Sequence, residues 1–159
     1  MQKIHEYLGM IVRNAQILEQ HLAYIVANDV FVKKTTLLML KKDLEKIIAD
    51  NNQYLNDLLY MPLGDLLEQA EKNRSVDKEL LAVIDKNRIG RNFAVHKLFK
   101  LSDDLSWAGD KNKDPRKFDV ERKLKTLVDE TYMLERRLIE LRNALAHKYN
   151  DTLKRYAKK

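Results

Sequence analysis

Two six-residue words in this chain combine the residue types that handle phosphate and protons. Arg91-Asn92-Phe93-Ala94-Val95-His96 and Arg142-Asn143-Ala144-Leu145-Ala146-His147 both spell R-N-x-x-x-H. The chain holds four histidines, and these words use two of them. Arginine is a fixed cation with a planar donor fork suited to phosphate. Histidine titrates near neutral pH and is the usual proton shuttle. Asparagine can orient either one. Such a set, without a metal cluster, is what phosphodiester transfer requires.

Both words fall in segments that read as helix. On a helix Asn92 and His96 are four apart and share a face, as do Asn143 and His147. Each arginine sits one residue back, about 100° round the axis. One such helix supplies one histidine, whereas a general acid and a general base together need two proton carriers. Two such helices facing each other, from one chain or from a dimer, would make the better site.

The helices that must position these words are legible as apolar stripes. Ile4, Leu8, Ile11, Ala15, Leu18, Leu22 and Ile25 step by fours and threes, with Asn28-Asp29 as the expected stop. Thr35 or Thr36 is the expected cap of a second helix through Leu58, with a break at Asp50-Asn51-Asn52. Pro62 ends it or opens a short helix from Leu63 to about Lys72. Ser75 should cap a longer helix to about Lys100, carrying the first word. Ser102 to Lys117 is the expected long loop and holds the sole tryptophan, Trp107, expected to pack that loop onto the bundle. The last helix should run from about Arg116 to the early 150s, striped by Val120, Leu124, Leu127, Thr131, Leu134, Leu138, Leu141 and Leu145. Stripes of this period point to near-antiparallel bundle packing, or to helix pairing between chains.

The stripes separate the two words. In the third long segment the apolar spacing runs Leu81, Ile84, Arg88, Arg91, Val95, Leu98, so two arginines occupy seam positions. A bundle rarely places charge there without a partner or a purpose. Arg142 and His147 only flank an unbroken stripe. A lone arginine or histidine on a helix is ordinarily an ion-pair or hydrogen-bonding residue. Two matching words using half of the histidines shift the balance toward function, with the first copy slightly ahead.

Composition bounds the rest. The 159 residues suit one domain, and 4 glycines with 2 prolines argue against an all-β fold. There is no cysteine, so neither a disulfide frame nor a thiolate nucleophile is available. The formal net charge of +6 favours acidic partners, nucleic acid first. Part of it lies in a basic tail over about 152–159. No apolar run is long enough to span a membrane, and the N-terminus lacks a signal-peptide layout, so the cytoplasm is expected. No spacing of Asp, Glu and His suggests metal ligands, and no cofactor is expected.

R-N-x-x-x-H on a helix of a small α-bundle resembles the signature of the HEPN superfamily. Arg142 to Tyr149 resembles the R-x4-H-x-Y form of toxins in HEPN/nucleotidyltransferase pairs. Pro62-Leu63-Gly64-Asp65-Leu66-Leu67, followed by Arg91 to His96 and Phe99, is similar to a group of small bacterial HEPN-like proteins. Pro62 stands where that group has threonine, and Lys97 where it often has a second histidine. The resemblance covers most of the chain as a helix pattern and about fifteen residues as motif. It implies an all-α, up-and-down bundle of four to five helices acting as a homodimer. It also implies metal-independent RNA cleavage in a toxin or phage-defence setting, with an antitoxin or other protein partner. The histidine would move protons at the ribose 2′-OH or the 5′-oxygen, and the arginine would hold the phosphate, with Arg88 and Tyr149 beside them on substrate. The alternative is a non-catalytic HEPN-like module for dimerisation and for binding RNA or a protein.

Overall fold

The computed structural model describes residues 2–37, 41–98 and 115–157, and every regular element among them is helical. We label them α1 (Gln2–Leu37), α2 (Lys41–Leu59), α3 (Leu63–Lys72), α4 (Lys78–Phe93, continued by a π-helical turn over Ala94–Leu98) and α5 (Pro115–Ala157). Phe99, Trp107 and the stretch 99–114 lie outside the described residues, as do Lys158 and Lys159.

The first stripe runs on past its expected stop. Asp29 does not turn the chain, because its carboxylate is engaged by Lys33 Nζ one turn on and by Ser75 Oγ at 2.8 Å. Thr35 therefore caps nothing. It is buried inside α1, where its hydroxyl donates back to the Phe31 and Val32 carbonyls. α2 passes through Asp50-Asn51-Asn52 without a break, which shows tertiary packing overriding weak propensity. α3 has the expected bounds. Its end is a Schellman closure: Ser75 N–H donates to the Ala70 carbonyl and Arg74 N–H to that of Glu71. Arg74 takes the left-handed place, at φ 52°, that glycine ordinarily fills. The cap of α4 is Asp77 rather than Ser75, its Oδ1 accepting from Leu80 N–H at 2.7 Å. α5 starts at Pro115 and continues to Ala157, so Arg116 and Lys117 are helical, as are Lys154 and Arg155 of the expected tail.

Successive elements reverse direction, so the first and last run the same way. Ile4, Leu8 and Ile11 cluster with Val120, Leu124 and Leu127. Leu18, Leu22 and Ile25 cluster with Leu134, Leu138 and Leu145. Phe31 meets Tyr149, and the Tyr156 hydroxyl donates to the Thr35 carbonyl. Partner numbers rise together along the whole seam, so α1 and α5 are parallel rather than antiparallel neighbours. α4 runs against both, its start packed with the Leu18–Leu22 region and Ala94 with Ile4, Leu8 and Ile11. Two features hold α4 on α5. Asn87 Nδ2 donates to Thr131 Oγ1 at 3.0 Å, and that hydroxyl donates to the Leu127 carbonyl at 2.6 Å. Gly90 permits the close approach, since a Cβ there would stand 3.2 Å from Leu127 Cδ1.

Candidate functional site

The first word begins on the seam its spacing indicated. Arg91 faces α1, and its Nη1 lies 3.1 Å from Glu19 Oε1. The two side chains are only 19% and 30% exposed, so the pair is partly withdrawn from water. This partner explains how a packing stripe carries an arginine. Arg88 instead turns along its own helix, its Nε 2.8 Å from Asp85 Oδ1. It stands in a groove lined also by Asp65, Glu68 and Glu71 of α3, and those carboxylates oppose an approaching phosphate. Asn92 and His96 are exposed, and among the described residues neither side chain has a hydrogen-bond partner.

The backbone changes between Arg91 and His96. The α-helix gives way at Ala94 to a π turn. Five α-helical residues would set Arg91 and His96 about 140° apart round the axis. A turn closed by i→i+5 bonds advances less per residue, so the angle between them is narrower than that, with Arg91 facing α1 and His96 exposed. Such turns are uncommon and frequently mark functional sites.

The second word is regular α-helix throughout. The 140° step therefore holds, and its two ends face different ways. Arg142 faces α1, its Nη1 3.3 Å from His21 Nδ1 and its Cζ 4.5 Å above the Tyr24 ring. A guanidinium has only donors, so Nδ1 must be the acceptor and the His21 proton sits on Nε2. Burial holds the His21 pKa below its ordinary 6.5, the Arg142 charge adds to that, and Glu135 opposes it. The arginine is thus paired with a histidine of α1 and not with its own His147. Asn143 and His147 are exposed on the outer side of α5. Tyr149 packs its ring 4.3 Å from that of Phe31, and burial pushes its hydroxyl pKa up. Its ring is part of the α1–α5 contact.

The two words do not meet within one chain. Ala94 packs at the level of Val120 to Val128, and His147 lies nineteen residues beyond Val128 on the same helix. At 1.5 Å per residue that is roughly 30 Å. Glu19, His21 and Tyr24, which hold the two arginines, carry no motif. They lie 72, 121 and 118 residues from their partners, and no local spacing links such positions. Among the described residues no group of three or more His, Asp or Glu is placed to hold a metal ion, and no helix is long and apolar enough to cross a membrane. Comparisons with protein-family models, with curated proteins and with solved structures find no match to this chain.

Proposed function

We propose that the protein is a metal-independent endoribonuclease of the HEPN type, working through its first word. The observation that carries this reading is the π turn over Ala94–Leu98, which narrows the angle between Arg91 and the exposed His96 and has no counterpart in the second word. Glu19 engages one nitrogen of the Arg91 guanidinium and orients the remainder, leaving donors for a phosphate oxygen. In the reaction, a histidine takes the ribose 2′-OH proton and the 2′-oxygen attacks phosphorus. The bond to the 5′-oxygen then breaks as that oxygen is protonated. The products are a 2′,3′-cyclic phosphate end and a 5′-hydroxyl end.

The second proton carrier comes from a second chain. Ala82, Lys86, Ile89 and Phe93 follow a four-three spacing on the outer face of α4, and all are exposed. Ile89 is 57% and Phe93 54% exposed, the kind of apolar stripe that pairs helices between chains. The exposed His96 follows in the π turn just beyond that stripe, so two chains meeting along it would bring two histidines near one another. A toxin or phage-defence role, with an antitoxin or other protein to restrain it, belongs to the same proposal.

A second reading is favoured by the roughly 30 Å between the words and by the commitment of Arg142 to α1. It makes the chain a non-catalytic module that dimerises and binds RNA or a protein. Incubation with single-stranded RNA in EDTA separates the two. The first reading expects cleavage with 2′,3′-cyclic phosphate ends and none of a 2′-deoxy substrate. Intact RNA at every protein concentration rejects it, and so does cleavage that requires a divalent ion.

A further inference from the structure

The outward half of the second word lies among exposed cations of α5. Arg136, Arg137, Lys148, Lys154 and Arg155 are all exposed on α5, and among the described residues none is in an ion pair. Partners are within reach: Glu140 stands three and four residues from the first two, and Asp151 three or four from the others. They are not taken. Earlier on the same helix Arg122 and Lys123 both bind Asp119, at 2.9 and 2.7 Å.

Helical spacing orders these cations. Arg136 and Lys154 are eighteen residues apart, as are Arg137 and Arg155. Eighteen residues make about five turns, so each pair is in line and spans about 27 Å. Asn143 and His147 fall close to the first line, and Lys148 close to the second. Five cations outnumber the two carboxylates, Glu140 and Asp151, that fall between the rows, and the first row adds an amide and an imidazole; the set matches a chain of regularly spaced anions that also offers hydroxyls.

We infer that this outer face of α5 is a docking track for the phosphate backbone of single-stranded RNA, with Asn143 and His147 as contacts rather than catalysts. The inference takes its partner class from the function proposed above. It also assigns the second word a task that does not need Arg142, which its contacts with His21 and Tyr24 hold toward α1.

The test uses the full chain and a fluorescent, 2′-O-methylated oligoribonucleotide of about twenty nucleotides. This probe cannot be cleaved, so binding is read whether or not the protein is a nuclease. Each phosphate contact on a single strand contributes about 0.7 to the slope of log affinity against log salt. Arg137→Gln with Lys148→Gln and Arg155→Gln should lower the slope by about 2 and weaken binding about a hundredfold at 0.1 M salt. Arg122→Gln with Lys123→Gln and Lys125→Gln removes the same charge from the first half of α5 and should leave most of the affinity. An unchanged slope in the first triple variant overturns the inference. Equal losses in the two triple variants do so as well, since net charge alone then accounts for binding. If polyglutamate competes as strongly as the oligonucleotide, the face serves acidic proteins and the inference is also overturned.

Discussion

Arg91 is tolerated on a packing seam because Glu19 meets it there, and the pair stands or falls together. Replacing Glu19 with Gln strands a partly buried cation and should cost about 1–3 kcal/mol in urea denaturation. Adding Arg91→Met should restore much of that loss, since no charge then remains to be compensated. An additive double variant would contradict the coupling. His21 is the mirror case. Its folded pKa lies below the ordinary 6.5, so the unfolded chain takes up the proton more readily. Its contribution to stability is complete above about 6.5 and is lost as pH falls from there through the lowered value. His21→Gln should therefore flatten the drop in melting temperature between pH 7.5 and 5.5, and an unchanged drop would refute it. At this scale the arginines, asparagines and histidines of the words were legible as types and spacings. Their partners were not. An ion pair or a hydrogen bond across 72 or 121 residues depends on which helices become neighbours, and no local pattern encodes that.

At the scale of elements, the stripes predicted the existence of every helix, and the ends were decided by side chains that found distant partners. Asn28-Asp29 looks like a stop, but Ser75 reaches Asp29 from the start of the α4 region and removes the reason to turn. Ser75 is thereby withdrawn from capping, and Asp77 takes that place. The π turn is the least legible feature, since nothing in Ala94-Val95-His96-Lys97-Leu98 distinguishes it from an α-helical continuation. Two predictions belong here. Arg74→Gly removes a left-handed arginine from the close of α3 and should stabilise the fold by about 0.5–1 kcal/mol. A loss of stability would contradict the strain at that position. Thr131→Val leaves the Asn87 amide, buried beside it, without its acceptor and should cost about 1–3 kcal/mol. Joining it with Asn87→Leu should recover part of that, as a double-mutant cycle would show.

At the scale of the molecule, the expected all-helical bundle stands, and the orientation of its longest pair differs from expectation. A four-three stripe serves parallel and antiparallel neighbours equally. Direction follows from the count of chain reversals between α1 and α5, which requires knowing that α2, α3 and α4 each turn back. This arrangement sends the two words to different levels of the bundle and leaves the outer stripe of α4 uncovered. Phe93→Asp should then weaken self-association while leaving the far-ultraviolet dichroism and melting unchanged, because the ring is 54% exposed in the single chain. Sedimentation at several concentrations reads the outcome, and unaltered association would remove that stripe as the meeting face.

The most direct test of the account is RNA cleavage in EDTA by His96→Ala and His147→Ala side by side. The account predicts that the folded His96→Ala protein loses cleavage by about a hundredfold or more, the scale of a general acid or base. His147→Ala should retain cleavage at saturating RNA. The reverse pattern, with His147→Ala inactive and His96→Ala active, would contradict the assignment of the first word as the working site.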